Sequence, residues 1–393
     1  MSKTQPTLFD GARMRLDDAI ELSLASLNSY GANYRHWAVV YSGGKDSSAT
    51  AVFVMWAIQT GLVSAPESLT ILYADTRMEL PPLQATAMKF LEQVRNAGSM
   101  FGARVVLPDM DDRFFVYMFG RGVPPPKNRF RWCTPQLKVE PMLNALSGLR
   151  TASGEKLLML TGVRIGESAA RDQRIALSCS KDGGECGQGW FQTSTPDSIA
   201  DTLAPLLHWR LCHVYDWLYF EQDRHKYDVS TISAVYGDDE VRTGCVGCNL
   251  VERDEVIERL VKRQDWQHLR PLLELKPLYR ELQKSKWRKR KSSAELRKDG
   301  KYSLNPQRLG PLTMEARQMG LERVLDIQGR ARVDLINAQE EARIRELWAL
   351  NTWPRKWSDA DINGIVPIDR ISIDSGNIVT QPLMTAIFAE KEA

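Results

Sequence analysis

Apolar positions in the first half of the chain switch between a helical and a strand period. Leu16, Ala19, Ile20, Leu24 and Leu27 recur at helical spacing before Gly31, which predicts a helix from about Leu16 to Tyr30. His36 to Tyr41 (HWAVVY), Ser68 to Ala74 (SLTILYA), Ala103 to Leu107 and Lys156 to Val163 (KLLMLTGV) read as strands. Between them Ser47 to Thr60 reads as a buried helix, and Pro81-Pro82 opens another in which Leu83, Ala87, Phe90 and Val94 share a face. Strands alternating with helices predict an α/β fold, a mainly parallel twisted sheet flanked by helices. Beyond about residue 250 the β signal fades. Asp254 to Arg297 and Thr313 to Leu350 read as mainly helical around a Pro/Gly-punctuated stretch at Asn305 to Pro311, giving a helical C-terminal extension. The expected division is 1–30, an N-terminal helical segment; 31–250, the α/β domain; and 251–393, a basic, mainly helical region.

Composition narrows the class. Over 393 residues, 43% hydrophobic and 26% charged positions argue against disorder, collagen-like sequence and a coiled coil. Six cysteines are too few for a disulfide framework, and MSKTQPTLFDGARMRLDD has no apolar run of the signal-peptide kind, so a cytoplasmic location is expected. Ser47 to Pro66 is uncharged, but Thr50, Gln59, Thr60, Gly61 and Ser64 interrupt it, so no membrane span or membrane partner is expected. Net charge is only 52 − 49 = +3, yet Arg253 to Lys301 holds 16 Lys/Arg against 8 Asp/Glu. That asymmetry points to a polyanionic partner.

A parallel sheet binds ligands beyond the carboxyl ends of its strands, which directs attention to the segments after Tyr41, Ala74 and Val163. Tyr41-Ser42-Gly43-Gly44-Lys45-Asp46-Ser47-Ser48 joins a strand to a helix. Its glycines permit a tight turn, its backbone N–H groups and hydroxyls face an anion, Lys45 adds charge, and Asp46 suits a magnesium ion on phosphate oxygens. The plainer reading is a Gly-Gly turn with a helix cap; the Walker spacing is absent. After Val163, Arg164, Arg171 and Arg174 supply permanent cations able to clamp phosphate charge, or a solvated patch.

Cys245-Val246-Gly247-Cys248 is a C-x-x-C knuckle, and Cys179 and Cys186 flank a Gly-rich loop. Two such pairs suit one four-thiolate site, and the ligand set alone leaves zinc and a 4Fe–4S cluster open. Cys133, near Arg129, Arg131 and Lys138, is a candidate persulfide carrier, a substitute ligand for Cys179, or inert. Cys212 reads as core, and His208 and His213 as structural. Lys284 to Lys291 has six cations in eight residues around Trp287, suited to nucleic-acid phosphates and stacking, or to a solvated face.

SGGKDS resembles the PP-loop of the ATP pyrophosphatase superfamily, whose members cleave ATP between the α- and β-phosphates. Three further segments resemble the phosphoadenosine-phosphosulfate reductase group. Asp75-Thr76-Arg77-Met78-Glu79-Leu80-Pro81 stands where that group has D-T-G-x-x-F-P. Arg131-Trp132-Cys133-Thr134 with Leu137-Lys138-Val139-Glu140-Pro141 resembles C-C-x-x-R-K-x-x-P with one extra residue. Thr161-Gly162-Val163-Arg164 with Glu167-Ser168 and Arg171 resembles G-x-R-x-x-(E/D)-S-x-x-R. The four cover about residues 36 to 215.

Arg77 replaces the usual glycine, Trp132 replaces the first of two cysteines, and no cysteine follows Cys248, where true reductases have a catalytic one. With Leu309-Gly310-Pro311-Leu312-Thr313-Met314-Glu315, these departures look like the DndC/SspD sulfurtransferases of DNA phosphorothioation. The resemblance implies an adenine nucleotide alpha-hydrolase fold of PP-loop type. It implies ATP and Mg2+ bound by Ser42, Gly43, Gly44, Lys45, Asp46, Ser47, Asp75, Thr76, Gly162 and Arg164, with Lys45, Asp46, Arg164, Arg171 and Cys133 catalytic. It tips the metal at Cys179, Cys186, Cys245 and Cys248 to a 4Fe–4S cluster, with zinc the alternative. It further implies a cysteine desulfurase as sulfur donor, DNA as acceptor, and other modification-system proteins as partners. The rival readings are a phosphoadenosine phosphosulfate or adenylylsulfate reductase, a tRNA thiolase, and a non-catalytic ATP-sensing, nucleic-acid-binding subunit.

Overall fold

A computed structural model describes residues 14–128, 130–167, 172–173, 175, 184–185, 190–192, 199–236, 244–291, 300, 309–366, 370–371 and 378–379. The chain divides into two compact units, Met1–Pro108 with Thr134–Cys245, and Asp109–Cys133 with Val246–Ala393.

The first unit is built on β1 (His36–Tyr41), β2 (Ser68–Ala74), β3 (Phe101–Val106), β4 (Leu157–Leu160), β5 (Gly184–Glu185), β6 (Trp190–Gln192) and β7 (Ala200–Ala204). Their order in the sheet is β3-β2-β1-β4-β7-β6-β5. The five strands from β3 to β7 are parallel, and β6 and β5 extend the edge antiparallel. The expected α/β fold with a mainly parallel sheet flanked by helices is therefore the one observed. Val39 pairs with both Ile71 and Leu160. Its neighbours are apolar without alternation because both faces of the sheet are covered.

On one face, Ala38, Leu72, Leu157 and Ala200 pack with Met142 and Leu146 of α4 (Glu140–Ser153). On the other, Tyr41 and Tyr73 meet at ring centroids 5.7 Å apart, and Tyr41 lies 5.3 Å from Phe90 of α3 (Pro81–Asn96). The N-terminal helix α1 (Leu16–Gly31) is held by Trp209, whose indole N–H reaches Ser23 Oγ at 2.8 Å. Helix α2 (Lys45–Gln59) has no charge beyond its first turn and is buried almost all round. Phe53 and Trp56 pack edge-on against Trp217 at 5.5 and 5.1 Å, so α2 is sandwiched rather than amphipathic.

Strand β4 is shorter than the apolar run Lys156 to Val163 suggests. After Thr161 N–H donates to Leu203 O at 2.9 Å, the chain leaves the sheet. From β1 the connections run to β2 and β3 on one side, and β4 and β7 lie on the other. The carboxyl ends of β1 and β4 thus flank the point where the strand order reverses, the position at which such sheets open a crevice. Cys212, expected in the core, is exposed: helix Leu211–Tyr215 turns His213 and Val214 inward instead.

In the second unit, helices Glu255–Leu260, Leu275–Leu282, Met314–Ala331 and Ala338–Ala349 pack through Leu260, Leu275, Leu282, Leu321, Val324 and Ile344. Thr313 Oγ1 accepts from Ala316 N–H at 3.1 Å, and Asn337 and Glu340 form a reciprocal cap at 2.9 Å in each direction.

The basic run does not present six cations to a polyanion. Arg288, Lys289 and Arg290 are 7%, 8% and 4% exposed. Arg288 Nε donates to Gly310 O at 2.6 Å, Lys289 Nζ to Asp359 O at 2.6 Å, and Arg290 to Val366 O. β8 (Lys289–Arg290) pairs antiparallel with β9 (Ile362–Asn363), which seats these side chains among loop carbonyls. Lys284 and Lys286 are exposed but pair with Glu281 at 2.5 and 2.7 Å. Among the described residues, no helix is long and apolar enough to cross a membrane.

Candidate functional site

The loop after β1 is shaped by two constraints. Gly43 takes φ +75, and a Cβ there would sit 3.3 Å from the Ala87 methyl, so the turn lies tightly on α3. Gly44 then caps α2 with extended backbone, so the first N–H groups of this 15-residue helix have no acceptor within it. Ser42 Oγ and Ser47 Oγ are 3.0 Å apart, Ser47 Oγ also meets Gly44 O at 3.0 Å, and Ser42 N–H donates to Ser47 Oγ at 3.2 Å. These bonds pin the loop closed on itself.

Arg164, 5% exposed, reaches across from the segment after β4. Its Nε donates to Asp46 Oδ1 at 2.5 Å and its Nη1 to Trp209 O at 3.1 Å. Lys45 Nζ lies 3.4 Å from Asp46 Oδ2 and 4.7 Å above the Tyr236 ring, whose hydroxyl accepts from Lys45 N–H at 3.4 Å. A lysine pair and an arginine pair on one carboxylate leave a net positive charge at the helix N-terminus, which the macrodipole reinforces. Gly162 lies against this turn: a Cβ there would be 2.8 Å from Asp46 C and O and 2.9 Å from Ser47 N.

Ser42, Gly44, Lys45, Asp46, Ser47 and Gly162 line one cavity of about 300 Å³ together with Thr161, Glu167 and Tyr236. Thr161 Oγ1 is shielded from solvent and has no hydrogen-bond partner among the described residues. Of the expected ligand-binding residues, Arg164 joins this cavity's wall through Asp46, and Gly43 supports the loop from behind. Tyr236 is a member that the sequence does not announce.

Asp75 and Thr76 form a separate turn at the end of β2. Asp75 Oδ1 accepts from Arg77 N–H at 2.8 Å, Asp75 Oδ2 from Gln84 at 3.3 Å, and Thr76 Oγ1 donates to Glu79 Oε1 at 2.8 Å. Arg77 sits at φ 63, the left-handed region that glycine favours. The position where the related motif has glycine therefore takes a glycine-favoured backbone here with a side chain on it, at a cost of roughly 1–2 kcal/mol. Burial holds the Glu79 carboxyl above its usual range, against the opposing pull of Lys138, whose Nζ is 3.9 Å away.

Arg171, Arg174, Cys179 and Cys186 lie outside the described residues. Cys245 and Cys248 are half-buried, and Gly247 between them takes φ +65 and packs on Leu275, while its N–H donates to Asp254 Oδ2 at 3.2 Å. This turn suits half of a four-thiolate set. Among the described residues no three His, Cys, Asp or Glu side chains converge as metal ligands. Cys133 is half-buried and belongs to the second unit.

Residues 36–229 match the family model of the phosphoadenosine phosphosulfate reductase domain. No curated protein sequence is significantly similar to the chain. Two of the solved structures similar to it are the following. One is phosphoadenylyl-sulfate reductase from Candida auris in a phosphate complex, with 12% identity, a TM-score of 0.32, and coverage of 53% of this chain and 88% of that one. The other is the U34-tRNA thiolase NcsA from Methanococcus maripaludis with its 4Fe–4S cluster, with 13% identity, a TM-score of 0.35, and coverage of 68% and 79%.

Proposed function

From the premise that residues 36–229 form a phosphoadenosine phosphosulfate reductase-like domain, we propose that the protein splits ATP into AMP and pyrophosphate and uses the adenylyl group to prepare an acceptor oxygen for replacement by sulfur. The observation that carries this reading is the Arg164–Asp46–Lys45 constellation at the N-terminus of α2, facing the cavity between the ends of β1 and β4. Helix N–H groups, Lys45 and the Ser42 and Ser47 hydroxyls hold phosphate oxygens, and fixed cations stabilise the charge that builds as the α–β bond breaks. Thr161 Oγ1 is a hydroxyl still to be paired in that cavity.

Asp46 and Glu167 are hard oxygen donors on the same wall, the number Mg2+ commonly takes from protein when substrate phosphates complete its shell. Cys245 and Cys248, with Cys179 and Cys186, would hold the iron–sulfur cluster or zinc. Soft thiolate ligation of this kind supplies sulfur-compatible metal chemistry.

The acceptor on this reading is a DNA backbone phosphate. Its oxygen attacks the α-phosphorus and pyrophosphate leaves; a cysteine desulfurase delivers sulfur as a persulfide, a thiol reductant releases it as sulfide and is itself oxidised to a disulfide, and that sulfide attacks the acceptor phosphorus while AMP departs with the original oxygen. The pattern at Arg77, Trp132 and Leu309 to Glu315 is what favours this acceptor. A second reading, reduction of adenylylated sulfate, is favoured by the domain match itself. The test is incubation of the protein with DNA, ATP, cysteine, a cysteine desulfurase and a thiol reductant, followed by nuclease digestion and mass analysis. Phosphorothioate-linked dinucleotides are the expected product; sulfite from phosphoadenosine phosphosulfate and a thiol, with no such dinucleotides, would establish the second reading instead.

A further inference from the structure

The second unit holds a cavity of about 410 Å³ that the reaction above leaves without a role. Pro124, Pro311 and Trp357 form apolar wall, and Phe130, Lys127 and Gln283 also line it. Three observations say what it accepts. The Gln283 side-chain amide nitrogen is shielded from solvent and has no hydrogen-bond partner among the described residues, a donor that calls for an acceptor. The Phe130 ring is 42% exposed, far more than an ordinary core aromatic. It shares a tight turn with Lys127, since Phe130 N–H donates to Lys127 O at 2.7 Å and Lys127 N–H to Phe130 O at 3.2 Å.

Charge selects the class of ligand. Arg121 to Arg131, the segment that supplies this wall, holds four cations and no acid in the sequence, of which Arg121 pairs with Asp112 at 3.5 Å. Arg288, also in the lining, is committed to Gly310 O and Leu309 O. An anionic partner with a flat ring and acceptors on the ring edge meets all three features. We infer that the cavity takes one unstacked base of a single-stranded nucleic acid. Phe130 stacks on the base, the Gln283 amide donates to its edge, and Lys127 faces the adjoining phosphate. This rests on the nucleic-acid acceptor reading above and names how the strand is held.

The test is fluorescence anisotropy of a labelled single-stranded oligonucleotide, about 12 nucleotides long, against the full chain. Phe130→Ala weakens binding about tenfold. Gln283→Met, which keeps the shape and removes the donor, weakens it about fivefold. Lys127→Ala lowers the log–log salt slope by about 0.7. An oligonucleotide with abasic sites binds the wild type as weakly as the intact one binds Phe130→Ala, and Phe130→Ala loses nothing further on it. Affinities of Phe130→Ala and Gln283→Met within about twofold of wild type, or equal losses on intact and abasic strands, overturn the base-binding site. ATP turnover is followed on the same proteins: its absence from the wild type overturns the proposed reaction, whereas normal turnover with unaltered oligonucleotide affinities overturns the cavity assignment alone.

Discussion

Arg164 Nε meets Asp46 Oδ1 at 2.5 Å although 118 residues separate them. This pair joins the segment after β4 to the first turn of α2 and fixes both against the cavity. Because Nη1 of the same guanidinium also holds Trp209 O, the contact needs a planar fork rather than a point charge. Arg164→Lys is therefore expected to cut the rate of pyrophosphate release by about 10²-fold. A coupled pyrophosphate assay checks it, and a rate near that of wild type would show that charge alone suffices.

Gly162 presses on backbone, not on a flexible side chain, with Asp46 C and O at 2.8 Å from where its Cβ would be. Gly162→Ala should displace the first turn of α2, destabilising the protein by about 1–3 kcal/mol and weakening ATP binding more than tenfold. Calorimetric titration with a non-hydrolysable ATP analogue measures this. Unchanged affinity would place the nucleotide away from this turn.

The strand–loop–helix at Tyr41 to Ser47 is legible in the sequence because local rules decide it: a continuous apolar run, two glycines, then a helix with no charge beyond its first turn. Tyr236 is not, since it reaches Lys45 from 191 residues away and no period or motif marks it. Lys156 to Val163 reads as one strand because Thr161 and Val163 are β-prone, whereas the close approach of Gly162 to α2 takes them out of the sheet. Charge counting misjudges Arg288, Lys289 and Arg290 for a similar reason: a sequence shows the cations but not the loop carbonyls that bury them. Nor does anything local mark Asp109–Cys133 as part of the same unit as Val246–Ala393.

His225 gives a pH signature. Its Nε2 lies 3.0 Å from Trp217 O and its Nδ1 accepts from Tyr227 N–H at 3.1 Å, so the neutral ring satisfies both neighbours. Burial lowers its pKa to about 4. The unfolded chain binds that proton near pH 6.5, so between those values the unfolded state holds more protons. Stability present above about pH 6.5 should fall as the pH drops toward 4, by about 2 kcal/mol near pH 4.5. Urea melts of wild type and His225→Gln across this range check it; the variant should lose that part of the slope, and identical slopes would assign the acid limb to other groups.

The proposed chemistry begins with the bond that is broken in ATP. Phosphorus NMR of ATP incubated with Mg2+, the protein and its acceptor reads this bond directly. The expected products are AMP and pyrophosphate in equal amounts, abolished in Asp46→Ala and in Lys45→Ala while both variants keep the wild-type circular dichroism spectrum. ADP and inorganic phosphate as products would contradict cleavage between the α- and β-phosphates, and with it the account of the Ser42 to Ser47 loop.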